Sequence, residues 1–142
     1  MKSTVLSALF ILTFAGVPAL AADGPASGVW KVTGSVAGNA VETTCTVKQD
    51  DKKLSGSCKG KDGVESALTG EAADKNVKWE FKRDFNGTEI TLIFTGALDD
   101  KSSNISGGKI NVQPFGVDGD FSAKKEEAKK EEVKKEETKP KQ

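Results

Sequence analysis

The chain has 142 residues, 21 Lys and Arg against 21 Asp and Glu, and neither His nor Tyr. Without His it lacks the usual general base, the commonest metal ligand and the Ser-His or Cys-His pairs of nucleophilic catalysis. The zero net charge divides into 12 basic and 15 acidic residues over 22–123 and 8 Lys against 6 Glu from Lys124 onward, so neither part has the basic excess of a nucleic-acid binder.

Lys2, an apolar run over 5–17 and Ala19-Leu20-Ala21 read as a secretory signal peptide, residues 1–21, cleaved after Ala21. The run is too short to span a membrane. The style of the signal is bacterial, and the expected location is periplasmic or extracellular, where a disulfide persists. Residues 22–27 then form a flexible N-terminus, and 28–123 form one folded domain.

The first two strands cover 29–36 and 41–47, with Gly38-Asn39 as a two-residue turn of the primed type. That turn sets Val36 against Val41, Val32 against Cys45 and Trp30 against Val47. The next pairing places Cys45 opposite Cys58, Val47 opposite Gly56 and Gln49 opposite Leu54, around a loop at Asp50-Asp51-Lys52-Lys53. Side chains alternate along a strand, so residues 43, 45, 47, 54, 56 and 58 share the inner face. Directly opposed cysteines lie within disulfide reach. The predicted staple is Cys45–Cys58.

A strand over 64–70 follows, with Val64, Ser66, Leu68 and Gly70 inward, and residues 71–76 connect it onward. Residues 77–82 alternate apolar with charged, and Asn86-Gly87 is the strongest hairpin signal of the chain. It pairs Phe81 with Leu92, Trp79 with Phe94 and Val77 with Gly96. Leu98 then opposes Ile105. The inner face changes parity between Ile105 and Ile110, which predicts a β-bulge at Gly107-Gly108. Residues 113–118 make the last loop, and Phe121 opposes Ile110.

Eight short strands joined in sequence order predict an all-β, antiparallel up-and-down barrel, with an open β-sandwich as the alternative. Eight strands enclose a space about wide enough for side chains, so the expected interior is filled, with at most a small cavity near one mouth. From Lys124 the chain changes to a Lys-Lys-Glu-Glu repeat with almost nothing to bury, a charged tail over 124–142 that is disordered or a frayed helix.

Gly28-Val29-Trp30, Leu54-Ser55-Gly56, Leu68-Thr69-Gly70, Phe94-Thr95-Gly96 and the closing Phe121-Ser122-Ala123-Lys124 together resemble small exported bacterial β-barrel domains of uncharacterised function. The layout is similar to calycins, the lipocalin-like and avidin-like barrels. That resemblance implies binding of a small molecule or a protein rather than catalysis. The short strands and filled interior depart from lipocalins and argue against a large pocket. There is a looser similarity to periplasmic protease-inhibitor barrels, without a matching inhibitory segment.

Arg83 is the one charged residue expected on the inner face, opposite Ile90. It either receives an anion at the barrel mouth or extends outward beside Phe85. Trp79 and Trp30 are the aromatic candidates for ligand contact. Asp99-Asp100-Lys101-Ser102-Ser103-Asn104 spaces oxygens like part of a calcium loop but lacks its glycine and terminal glutamate, so it reads as a solvated turn. No catalytic residue, metal or cofactor is expected. The expected object is a monomeric, non-catalytic binding barrel whose partner is an unknown small molecule or an envelope or secreted protein. The alternatives are a periplasmic inhibitor of a protease or glycosidase, and a structural cell-envelope protein tethered by its tail.

Overall fold

The computed structural model describes residues 23–127; the expected signal peptide and residues 128–142 of the expected tail lie outside them. The strands are β1 (Gly28–Val36), β2 (Asn39–Asp50), β3 (Lys53–Gly60), β4 (Glu65–Ala73), β5 (Asn76–Phe85), β6 (Thr88–Ala97), β7 (Asn104–Gln113) and β8 (Val117–Lys125). Each pairs antiparallel with the next, and β8 returns to β1 from Trp30 opposite Lys125 to Val36 opposite Gly119. The sheet is therefore a closed barrel with no free edge, not an open sandwich. No helix among the described residues is long and apolar enough to cross a membrane.

Tight turns dictate this order. Ala37-Gly38, Asp51-Lys52, Asp74-Lys75 and Asn86-Gly87 each separate paired strands by two residues, with positive φ at Ala37 (48°), Gly38 (79°), Asp51 (54°), Asp74 (54°), Asn86 (52°) and Gly87 (80°). Such turns match the twist of antiparallel strands. Burial alternates along β2 from Val41 onward and along β5 as far as Asp84, as period two demands.

Two pairings follow the sequence reading without change. Cys45 faces Cys58, and the two form a disulfide. Arg83 faces Ile90, Phe81 faces Leu92 and Trp79 faces Phe94. The bulge also falls where expected, between Ile105 and Gly108, and Leu98 bridges Ile105.

Two other pairings differ by two residues. The first turn is Ala37-Gly38 rather than Gly38-Asn39, so Trp30 faces Cys45 and Val32 faces Thr43. Glycine takes the second turn position, as in Asn86-Gly87. In the last hairpin only Pro114, Phe115 and Gly116 intervene, so Phe121 faces Gly108 rather than Ile110. Phe121 lies between two glycines, since it also faces Gly34. A Cβ at Gly108 would stand 2.3 Å from the Phe121 ring. Both shifts are even, so the same side chains point inward in either register. Val64 is a further correction: it precedes β4 and is exposed rather than inward, while β4 continues to a buried Ala72.

The interior is a filled core. Phe94 sits at its centre, stacked on Trp79 (5.9 Å between centroids) and Phe81 (5.4 Å) and edge-on to Phe121 (5.1 Å). Aromatic pairs in these geometries add about 0.5–1.5 kcal/mol each beyond the area they bury.

Candidate functional site

An up-and-down barrel gathers alternate loops at opposite ends. One end carries the connections Ala37-Gly38, residues 61–64, Asn86-Gly87 and residues 114–116. The other carries Asp51-Lys52, Asp74-Lys75, residues 98–103 and both exits of the described chain.

The end with the chain exits is sealed. Residues 24–27, expected to be a flexible lead-in, are instead folded across it, with Ala26 fully buried. Gln49 organises them from an inward position on β2. Its Oε1 accepts the Ala26 N–H (2.9 Å), its Nε2 donates to the Asp51 carbonyl (2.8 Å) and its backbone N–H donates to Ser27 Oγ (2.8 Å). The Trp30 indole N–H donates to the Ala26 carbonyl (2.9 Å). Lys125 closes over the same place, its Nζ 5.0 Å from the Trp30 ring centroid and donating to the Pro25 carbonyl (2.7 Å). Burial pushes the Lys125 ammonium below its ordinary pKa. β8 thus takes in the first two residues of the expected tail, Lys124 and Lys125.

The opposite end is open. A cleft of about 470 Å³ enters there, with Val36, Val41, Ile90, Leu92, Val112 and Val117 among its walls and Phe85 and Phe115 at its rim. This volume falls in the range of small-molecule sites, roughly 300–1,000 Å³. Arg83 lies in its wall. Its Nη2 donates to both carboxylate oxygens of Asp62 at 2.6 Å. The guanidinium lies over Gly60, where a Cβ would come within 2.1 Å of Nη1, so glycine there makes room for it. The Arg83 hydrogen bond, followed by that from the Val64 N–H, holds the Asp62 carboxyl below its ordinary pKa. Two further rim carboxylates are engaged: Glu42 pairs with Lys61, and Asp84 accepts the Gly87 N–H at 2.9 Å.

Of the three residues singled out from sequence for ligand contact, Arg83 alone reaches the cleft. Trp79 lies in the core beneath it, and its indole N–H has no hydrogen-bond partner among the described residues. Trp30 belongs to the sealed end. Sequence reasoning missed Asp62 and Phe115. Both sit on loops that only the alternate-loop rule of a meander brings beside Arg83.

The calcium-like loop is a self-contained turn. Asp99 Oδ1 accepts the N–H groups of Ser103 (2.8 Å) and Asn104 (3.2 Å), and Oδ2 accepts Asn104 Nδ2 (3.0 Å). The Asn104 side-chain bond, then that of the Ser103 N–H, lowers the Asp99 pKa to about 2. Asp118 and Asp120 face outward, bonded to Asn111 and Lys109. Among the described residues no group of three or more metal-ligating side chains converges.

No protein-family model, no curated protein and no solved structure matches this chain.

Proposed function

We propose that this is an exported, non-catalytic barrel that binds a small, largely apolar molecule in its open mouth. One observation carries the reading. The large hydrophobic residues that stay exposed among the described ones, Val64 (54%), Phe85 (55%) and Phe115 (56%), all lie at the same end, Val64 and Phe115 on its loops and Phe85 at the last position of β5, two of them at the rim of the cleft. Apolar surface held out in water at a concave opening marks a contact surface. The sealed opposite end leaves the mouth as the way in.

Binding rather than turnover is supported by the state of the rim carboxylates. Glu42, Asp62 and Asp84 are each already engaged by a neighbour, and no His or Tyr is present to complete an acid–base pair. Export is supported by the charged start, apolar run and Ala19-Leu20-Ala21 of the N-terminal segment, and the Cys45–Cys58 disulfide is compatible with an oxidising compartment. A periplasmic or extracellular location, with the protein acting as a monomer, belongs to the same reading.

The test is fluorescence of an apolar, environment-sensitive dye such as anilinonaphthalene sulfonate. The native protein is expected to enhance its emission saturably. The double variant Phe85→Ser with Phe115→Ser is expected to lose most of that enhancement at an unchanged melting temperature. An equal enhancement by the variant would contradict the assignment.

A further inference from the structure

The ion pair at the mouth is built unequally. Arg83 comes from the inner face of β5, is only 20% exposed and rests over Gly60. Asp62 comes from the connection after β3 and is 57% exposed. The cation is thus part of the wall, and the anion reaches it from a surface loop. The other mouth cation, Lys61, also lines the cleft but is 76% exposed and already paired with Glu42. Both bonds to Asp62 leave from Nη2, which leaves Nη1 and Nε for another acceptor.

We propose that the mouth binds an amphiphilic carboxylate, with its apolar body on Val36, Val41, Ile90 and Val112 and its acid head on Arg83 in exchange for Asp62. This rests on the reading of the mouth as the binding end. The protein's own loop carboxylate is the resident competitor. Exchange of one carboxylate for another keeps the charge at the guanidinium constant, so Arg83 is never left uncompensated in the wall. Asp62 moves only from a largely solvated position into full solvent. A planar guanidinium grips a carboxylate through two N–H donors, a match that a neutral head does not offer. The apolar walls exclude water from the body, and Phe85 and Phe115 flank it at the rim.

Two fluorescent probes with the same body separate the proposal from the reading beneath it. They are dansyl-tagged undecanoic acid and its uncharged primary amide, titrated at neutral pH into the mature protein. The acid is expected to bind about tenfold more tightly than the amide, the advantage of charge-assisted over neutral hydrogen bonding. Arg83→Gln is expected to bring the acid-to-amide ratio near one. Asp62→Asn is expected to raise it, because the competitor is gone. Equal affinities for both probes in the native protein would overturn the carboxylate assignment while leaving mouth binding standing. A lower ratio in Asp62→Asn would show that Asp62 positions Arg83 rather than competing for it, and would overturn the exchange. Failure of both probes to bind would overturn mouth binding itself.

Discussion

Gln49→Ala should unlock the sealed end of the barrel. The Gln49 side chain is buried, and its Oε1 supplies the acceptor for the N–H of Ala26, itself buried. Truncation leaves that N–H without an acceptor. An unsatisfied buried donor costs about 1–3 kcal/mol. The second lost bond, to the Asp51 carbonyl, adds little because Asp51 sits in an exposed turn where water replaces the donor. In a domain of this size each kcal/mol lowers the melting temperature by roughly 4–8 °C, so the expected fall is about 5–20 °C. Gln49→Glu keeps an acceptor for Ala26 while losing the amide donor, and should fall between the native protein and Gln49→Ala. Urea unfolding with the disulfide intact gives the free energy, and hydrogen exchange at the Ala26 amide reports the bond directly. Gln49→Ala within about 0.5 kcal/mol of the native protein, or an Ala26 amide that already exchanges like an unprotected one in the native protein, would refute the idea that residues 24–27 seal this end.

Three further outcomes follow from the same structure. Replacing both Cys45 and Cys58 by Ala should cost about 3 kcal/mol in the chain-entropy treatment of a 13-residue separation, with far-UV circular dichroism unchanged; loss of the β-sheet signal would mean that the staple creates the fold rather than constraining it. Trp30→Phe should destabilise by at least about 1 kcal/mol more than Trp79→Phe, although both are buried, because the first orphans the Ala26 carbonyl and the second removes a donor without a partner; equal losses in urea unfolding would contradict this. Asp99 has a folded pKa near 2 against an ordinary 3.8, so its contribution is complete above about pH 4 and is lost as pH falls toward 2; Asp99→Asn should flatten the decline of melting temperature over that interval, and an unchanged decline would show that the turn is not held by the charged carboxylate.

Much of the barrel was legible because two kinds of signal are local. Asn86-Gly87 names its own turn type, and Cys45 opposite Cys58 checks a register against the polarity pattern. The pairing of β5 with β6 and of β2 with β3 needed nothing else. Alternation fixes which side chains face inward but is indifferent to a shift of two, which is why β1 against β2 and β7 against β8 slid by that amount. The glycines at 34 and 108 held the missing information: the observed register sets the Phe121 ring against Gly108 and its Cβ beside Gly34, where a larger side chain at either position would collide with it. Residues 24–27 carry no strand pattern. Their fold depends on one inward Gln, a residue that a binary reading treats as an exception rather than an anchor. At the mouth, inward parity on β5 found Arg83. Asp62 and Phe115 are distant in sequence, and loop connectivity alone brings them there.

The central claim is that the open end, ringed by Phe85, Phe115 and the Arg83–Asp62 pair, is where this protein meets its ligand. Amide correlation spectra of the isotope-labelled mature protein, titrated with dansyl-tagged undecanoic acid, test it most directly. The account predicts saturable shifts confined to residues 36–42, 61–64, 83–92 and 112–117, the segments that form the cleft and its rim. Shifts centred on residues 24–27, 51–52, 74–75 and 98–103, or spread evenly over the outer face of the sheet, would contradict it.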